Sequence, residues 1–307
     1  MSAVVEAVAL GRWYGQVVGL NELTVRMEPG ITGLLGPNGA GKSTFLGLIA
    51  GELKPSRGTI RVLGEDPFAN GLLFRRVGYC PQRDAVYGRM SGREMVRFLL
   101  RLGGYGRREA DARARRALER VALGEDMERR TAGYSKGMRQ RVKIAQAIAH
   151  DPELLVLDEP LGGLDPVGRR DVIRLLAELA AAGTSVLVSS HVLHEIEALT
   201  AEILLVHRGR LLAQGTIADV RELLRQHPRR VEIVARDARR LARALLDAEE
   251  VIAVRLLDDG TRLSLETRDV ARFHRRLTEI AAGGGFGVQG LESVDASLEA
   301  VFDYLVA

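Results

Sequence analysis

Nine residues, Gly36-Pro37-Asn38-Gly39-Ala40-Gly41-Lys42-Ser43-Thr44, have the types and spacing of a phosphate cradle. Gly36, Gly41, Lys42 and Ser43 fill the pattern G-x-x-x-x-G-K-[ST], in which glycines let successive backbone N–H groups turn into one hollow that side chains would obstruct. Lys42 brings a positive charge for the β- and γ-phosphates and Ser43 a hydroxyl for Mg²⁺, while a helix beginning near Lys42 aims its positive end at the same point. Further along stand Asp158 and Glu159. Asp158 is suited to hold Mg²⁺ through water, and Glu159 to polarise an attacking water, a general-base role that needs one carboxylate within hydrogen-bond reach. Together these groups point to hydrolysis of a phosphoanhydride. Two acids at the start of a loop are often only solvated, so their placement decides what they do.

The elements that must position them are legible as runs. Ile31 to Leu35 reads as a buried strand entering the glycine-rich loop, and Thr44 to Ala50 as an apolar helix face leaving it. Leu154-Leu155-Val156-Leu157 is the continuous apolar run of a doubly covered parallel strand, and carboxylates just past such a strand lie where open α/β sheets bind their ligands. Val77 to Cys80 reads as a strand before Gln82, and Ser185 to Val188 as one before Ser189-Ser190-His191. Tyr134-Ser135-Lys136-Gly137-Met138 opens a helix whose period runs through Ile144, Ala147 and Ile148. Ser91-Gly92-Arg93-Glu94 has capping-box spacing before Met95, Phe98, Leu99 and Leu102, and a second amphipathic helix is expected from Arg107 to Leu123.

The sequence order of these motifs resembles the ATP-binding subunits of ABC transporters, over roughly residues 3 to 217. The resemblance implies an α/β fold: a P-loop NTPase core of the ABC type with a helical subdomain. It also implies roles. Tyr14 would stack on adenine, Gly36 to Thr44 would hold the phosphates of ATP, and Ser43, Gln82 and Asp158 would hold Mg²⁺. Glu159 would be the base, His191 would contact the γ-phosphate, and Gln82 would reach the attacking water. Ser135 and Gly137 would bind the γ-phosphate of ATP held by a second copy, with Asp165 on the loop crossing between the two. The alternative for Tyr14 is that it covers core, and Lys136 is expected to be a solvated lysine. The chain departs from the common LSGGQ signature at Tyr134, Lys136 and Met138, and has Gly162 where Ser or Asn is usual; Ser135 and Gly137 are kept. The implied protein is the ATP-hydrolysing motor of an ABC transporter. It would pair head-to-tail around two MgATP, as a homodimer or with another ATPase subunit, and drive a separate transmembrane permease docked on the helical insert.

Composition fits that picture. The chain has 307 residues, 46% hydrophobic and 5% aromatic, and a single cysteine, Cys80, which excludes an internal disulfide. No apolar run approaches the ~18 to 20 residues that span a bilayer. The opening residues Met1 to Glu6 do not read as a secretion signal. A cytoplasmic chain, peripheral on the inner face of the cell membrane through its partner, is the expectation. The 44 basic residues barely outnumber the 40 acidic ones, and arginine pairs such as Arg75-Arg76 and Arg229-Arg230 are scattered, so nucleic-acid binding is not expected. A soluble ABC ATPase acting on ribosomes or DNA is the alternative; a single nucleotide domain and an insert too short for a long coiled coil argue against it.

Two domains are expected: an ABC ATP-binding domain over residues 1–220, with its helical insert at about 83–148, and an accessory domain over 221–307. The second reads as strand (Val231 to Ala235), helix (Ala238 to Leu246), strand (Val251 to Leu257), the turn Asp258-Asp259-Gly260, strand (Arg262 to Leu265), helix (Val270 to Ala282) and a last strand near Val288. This βαββαβ order predicts a small α+β ferredoxin-like domain, with a dimer-contact or regulatory role expected and a purely stabilising one beside it. Ser297 to Phe302 resembles the close of ATP-binding subunits that serve ABC-2 type exporters.

Overall fold

The computed structural model describes residues 3–83, 86–219, 229–257 and 260–293. The chain divides into two compact units, residues 1–217 and 218–307. Ser297 to Phe302, and Asp258-Asp259 of the expected turn, lie outside the described residues.

The first unit opens with β1 (Val5–Tyr14) and β2 (Val17–Met27), continues through β3 (Ile31–Leu35) and α1 (Lys42–Ile49), and adds β4 (Arg57–Val62) and β5 (Val77–Cys80). A helical insert follows, of α2 (Gly92–Leu102), α3 (Arg107–Arg120) and α4 (Lys136–Ile148). Then come β6 (Leu154–Asp158), α5 (Pro166–Ala181), β7 (Ser185–Ser190), α6 (Leu193–Glu197), β8 (Glu202–His207) and β9 (Arg210–Thr216).

The central sheet has the order β5-β6-β7-β3-β8-β9, parallel except for β9. Every residue of β6 and β7 is buried. Both faces of these strands are covered, which is why the sequence there is continuously apolar and does not alternate. A separate antiparallel sheet, β2-β1-β4, packs Leu10, Leu20, Leu23 and Val62 into the same core as Phe45, Leu46 and Val156.

In the insert, Ser91 caps α2 with a complete capping box to Glu94. Arg93 ties the insert together, donating to Asp111 of α3 at 2.7 and 2.9 Å and to Glu128 at 2.6 Å. The second insert helix ends at Arg120, three residues short of the expected Leu123. Ala122 has φ +55° and the Leu123 N–H returns to the Leu118 carbonyl, so a left-handed residue and a 6→1 bond close the helix early. Cys80 at the end of β5, an edge strand, is fully buried.

The second unit runs β10 (Arg229–Ala235), α7 (Ala238–Leu246), β11 (Val251–Leu256), β12 (Arg262–Thr267), α8 (Val270–Gly284) and β13 (Val288–Ser293). Its sheet has the order β11-β12-β10-β13 and is antiparallel throughout. Asp237 and Asp269 cap the two helices, and Val231, Ile233, Leu241, Leu245, Leu263, Leu265 and Phe273 form the core between helices and sheet. No helix among the described residues is long and apolar enough to cross a membrane.

Candidate active site

The glycine-rich loop leaves the carboxyl end of β3, in the middle of the parallel strands, and returns as α1. Close packing explains two of its glycines. A Cβ on Gly36 would lie 2.3 Å from the Val206 carbonyl oxygen; on Gly41, at φ +103°, it would lie 2.5 Å from that of Gly19. Lys42, at the first position of α1, is 6% exposed and turns its ammonium back over the loop, donating to the carbonyls of Gly36 at 2.7 Å and Pro37 at 3.1 Å. Burial lowers its pKa from the ordinary lysine value, against the opposing pull of Glu159 and Asp158.

Glu159 is the hub of the site. Its Oε1 lies 3.8 Å from Lys42 Nζ and 3.0 Å from His191 Nδ1, and its Oε2 accepts from Gln82 Nε2 at 3.3 Å. Three parallel strands deliver these groups: β5 leads to Gln82, β6 to Glu159 and β7 to His191. The backbone at Glu159 is left-handed, φ +50°, a costly conformation for a residue with a Cβ and one that functional sites tend to retain. Ser189 supports the turn by accepting from the Glu159 N–H at 2.9 Å and donating to Asp158 Oδ1 at 2.6 Å. Asp158 itself is 2% exposed behind Glu159.

A hollow of about 510 Å³ opens above the loop, lined by Tyr14, Val17 and Val18, by Gly19, by residues 37–44, and by Gln82 and Glu159. Tyr14 is 43% exposed and so covers little core; the Arg12 guanidinium lies over its ring at 4.9 Å. One end of the hollow is thus aromatic and apolar, and the other lined with N–H groups and charge. A planar ring joined to a polyanion fits that polarity.

Ser135, Gly137 and Asp165 are elsewhere. They line a second hollow of about 530 Å³ with Lys136, Arg141 and Asp126. Ser135 is the N-cap of α4, accepting from the Met138 N–H at 3.2 Å, and Asp165 is the N-cap of α5, accepting from Gly168 at 2.7 Å. Free N–H groups in the first turn of α4 give this hollow an anion-attracting wall. The Lys136 stem lies against Gly163, where an added Cβ would meet it at 2.7 Å. Gly162 has less room than a solvated loop would give, since a Cβ there would stand 3.3 Å from the Glu159 carbonyl oxygen.

The sequence reading missed Ser189 as a support, Val17 and Val18 as walls, and two buried polar side chains on α4, Gln140 and Lys143. The last two were visible in principle: they fall at positions 140 and 143 of an apolar face continued by Ile144, Ala147 and Ile148, where a lysine is out of place.

Among the described residues no three His, Cys, Asp or Glu side chains converge as a metal cage. The oxygens around the loop include the Ser43 hydroxyl, the Gln82 amide and the Glu159 carboxylate, with the Asp158 carboxylate near enough to act on Lys42, a hard set that suits Mg²⁺ when phosphate oxygens complete it.

Residues 20–162 match the family described as ABC transporter. The chain is similar to the daunorubicin/doxorubicin resistance ATP-binding protein DrrA of Streptomyces peucetius, 34% identical over 90% of this chain and 84% of that one. It is also similar to the uncharacterized ABC transporter ATP-binding protein YxlF of Bacillus subtilis, 40% identical over 62% of each chain, so that this match spans less than two-thirds of that relative. Among solved structures it resembles an ATP-binding subunit of an ABC transporter, with TM-score 0.66 and 30% identity, covering 72% of this chain and 93% of that one.

Proposed function

The chain belongs to the ABC transporter ATP-binding proteins and is an ATPase, and on that premise we propose that it is the motor subunit of an ABC-2 type exporter. The observation that carries the reading is the convergence of Lys42, Gln82 and His191 on Glu159 directly beside the phosphate loop.

In this reading the phosphates of ATP lie along residues 36–44, with adenine toward Tyr14. Lys42 and the N-terminus of α1 take up the charge that develops on the γ-phosphate oxygens. Glu159 accepts a proton from the attacking water, His191 orients Glu159 and contacts the γ-phosphate, and Gln82 holds the water between them. Ser43, Asp158 and Gln82 would hold Mg²⁺, which when bound neutralises the β- and γ-phosphate charge.

The hollow above the phosphate loop has this machinery, while the hollow beside α4 presents a helix N-terminus and Ser135. A head-to-tail pair joins unlike hollows, so that Ser135 and Gly137 of one copy cap the nucleotide of the other, with Asp165 between them. The permease is expected at an apolar hollow of about 680 Å³ between β5, the short helical turn Leu73–Arg75, α2 and α4. Its rim includes the exposed Phe74 and Leu102, an apolar surface suited to a short helix from a membrane protein. Such docking would hold the chain on the inner face of the membrane.

Glu159→Gln tests the reading. Mixed with MgATP, the variant should elute as a dimer by light scattering and turn ATP over at least about a hundredfold more slowly, whereas wild type should dimerise transiently and hydrolyse. Full turnover by the variant would remove Glu159 as the base. Leu102→Glu should abolish co-purification with a co-expressed permease and leave basal ATPase activity intact; unchanged co-purification would move the docking site elsewhere.

A further inference from the structure

Lys143 sits in the middle of α4 at 1% exposure, on the buried face that carries Gln140, Ile144 and Ala147. Its ammonium donates to three carbonyl oxygens in a row: Pro81 at 2.9 Å, Gln82 at 3.1 Å and Arg83 at 3.1 Å. An ammonium has three donors, and all three are used on one stretch of backbone. One turn earlier, Gln140 places its amide nitrogen 4.0 Å from Cys80 Sγ. Residues 80–83, which carry Gln82 out of β5 and into the site, are therefore suspended from α4.

A buried ammonium is an expensive way to fill core, because its desolvation is offset only by carbonyl dipoles. A methionine would fill the space without that cost, so the charge has a use beyond packing. The use follows from what lies at the helix's other end. Ser135 caps α4 eight residues before Lys143, about 12 Å away along one rigid helix.

We infer that Lys143 is a positioning residue that fixes the Gln82 backbone to the helix begun by Ser135, so that the two move as one body. The inference rests on the paired arrangement proposed above: Ser135 meets the partner's nucleotide and Gln82 the chain's own. A displacement of α4 on contact with one nucleotide is then a displacement of Gln82 at the other. Lys143 of each copy then links the two ATP sites of a pair.

The test is a double-mutant cycle read in steady-state ATPase kinetics of the full chain. Lys143→Met should lower kcat about tenfold, keep KM for MgATP within about twofold and reduce the Hill coefficient toward one, as expected for a lost coupling between sites. Added to Gln82→Ala, the same change should cost less than about twofold, because the residue it acts through is gone. Lys143→Gln, which keeps two donors, should fall between Met and wild type and carries the same cycle if the Met variant melts below the assay temperature. A folded variant with kcat and Hill coefficient unmoved overturns the inference. So does an equal fractional loss in the Gln82→Ala background, the mark of a purely structural residue. A wild-type chain without MgATP turnover would overturn the proposed function as well; wild-type turnover with an unmoved variant overturns only the link.

Discussion

The two units are both sheets backed by helices, yet polar side chains gather at the carboxyl ends of parallel strands in the first, and on a helix and a neighbouring turn, as an Arg/Glu cluster, in the described residues of the second. In the first, β5, β6, β7 and β3 are parallel neighbours, so their carboxyl ends lie on one edge and deliver Gln82, Glu159, His191 and the phosphate loop side by side. In the second, strand direction alternates, and successive strand ends fall on opposite edges. The polar cluster there is made of opposite charges that pair with one another: Arg272 with Glu249 at 2.8 Å and Glu250 at 3.7 Å, Arg276 with Glu279 at 3.3 Å. Parallel strands bring side chains from several strands to one edge, which the alternating strands of the second unit do not do.

The contrast breaks most sharply at Glu159. Glu159→Gln should reduce kcat by about 10²- to 10⁴-fold, the range for removing a general base, with the melting temperature nearly unchanged. A melting temperature that fell with the rate would make Glu159 structural. The converse test is Phe273→Ala in the second unit. Phe273 is fully buried, so the substitution should destabilise that unit by about 3–5 kcal/mol by urea unfolding, while ATP binding to the first unit holds. Loss of ATP binding in step with the unfolding of residues 218–307 would join the two units into one functional body.

Ser189→Ala sharpens the comparison within the first unit. It strips a buried hydrogen bond from Asp158 and another from the Glu159 backbone, and should cost about 1.5–3 kcal/mol of stability together with a raised KM for MgATP. An unchanged KM would show that Asp158 is held without it.

The smallest expected effect concerns His150, whose ring lies 3.2 Å from the Val77 carbonyl at the foot of β5. Burial lowers its pKa from the ordinary 6.5, with the Val77 hydrogen bond opposing. As pH falls below 6.5 the unfolded chain takes up a proton before the folded one, so stability declines there and is unaffected above it. Urea unfolding at pH 7.5 and 5.5 should show a larger decline in wild type than in His150→Gln; equal declines would assign the pH dependence to other groups.

The first unit's chemistry was legible because it is written in local patterns. The strand before the loop, Ile31 to Leu35, and the capping box at Ser91 are both read from neighbouring residues, and both are found as read. The order of βαββαβ elements in the second unit was legible for the same reason. What escaped the sequence depends on contacts between distant residues. Lys143 and the carbonyls of residues 81–83 are about sixty positions apart, and no local period marks a lysine as a donor to backbone. Ser189 looked like one of two serines before a histidine, and its service to Asp158 and Glu159 arises only when β6 and β7 are paired. The early end of α3 turned on Ala122 adopting a left-handed backbone, which alanine rarely signals in advance.

Cys80 gives the molecule a reporter of its own. It is the chain's single cysteine, fully buried, and burial pushes its thiol up to about 12. Thiolate is the reactive form, so the folded chain should be almost inert to alkylating reagents at neutral pH, and modification will proceed at the rate at which β5 detaches from the sheet. Because Gln82 leaves from that same strand end, the kinetics of thiol trapping would time the opening of the strand that carries it, without a label having been introduced. The same inertness leaves every surface position free for an engineered cysteine and a spectroscopic probe.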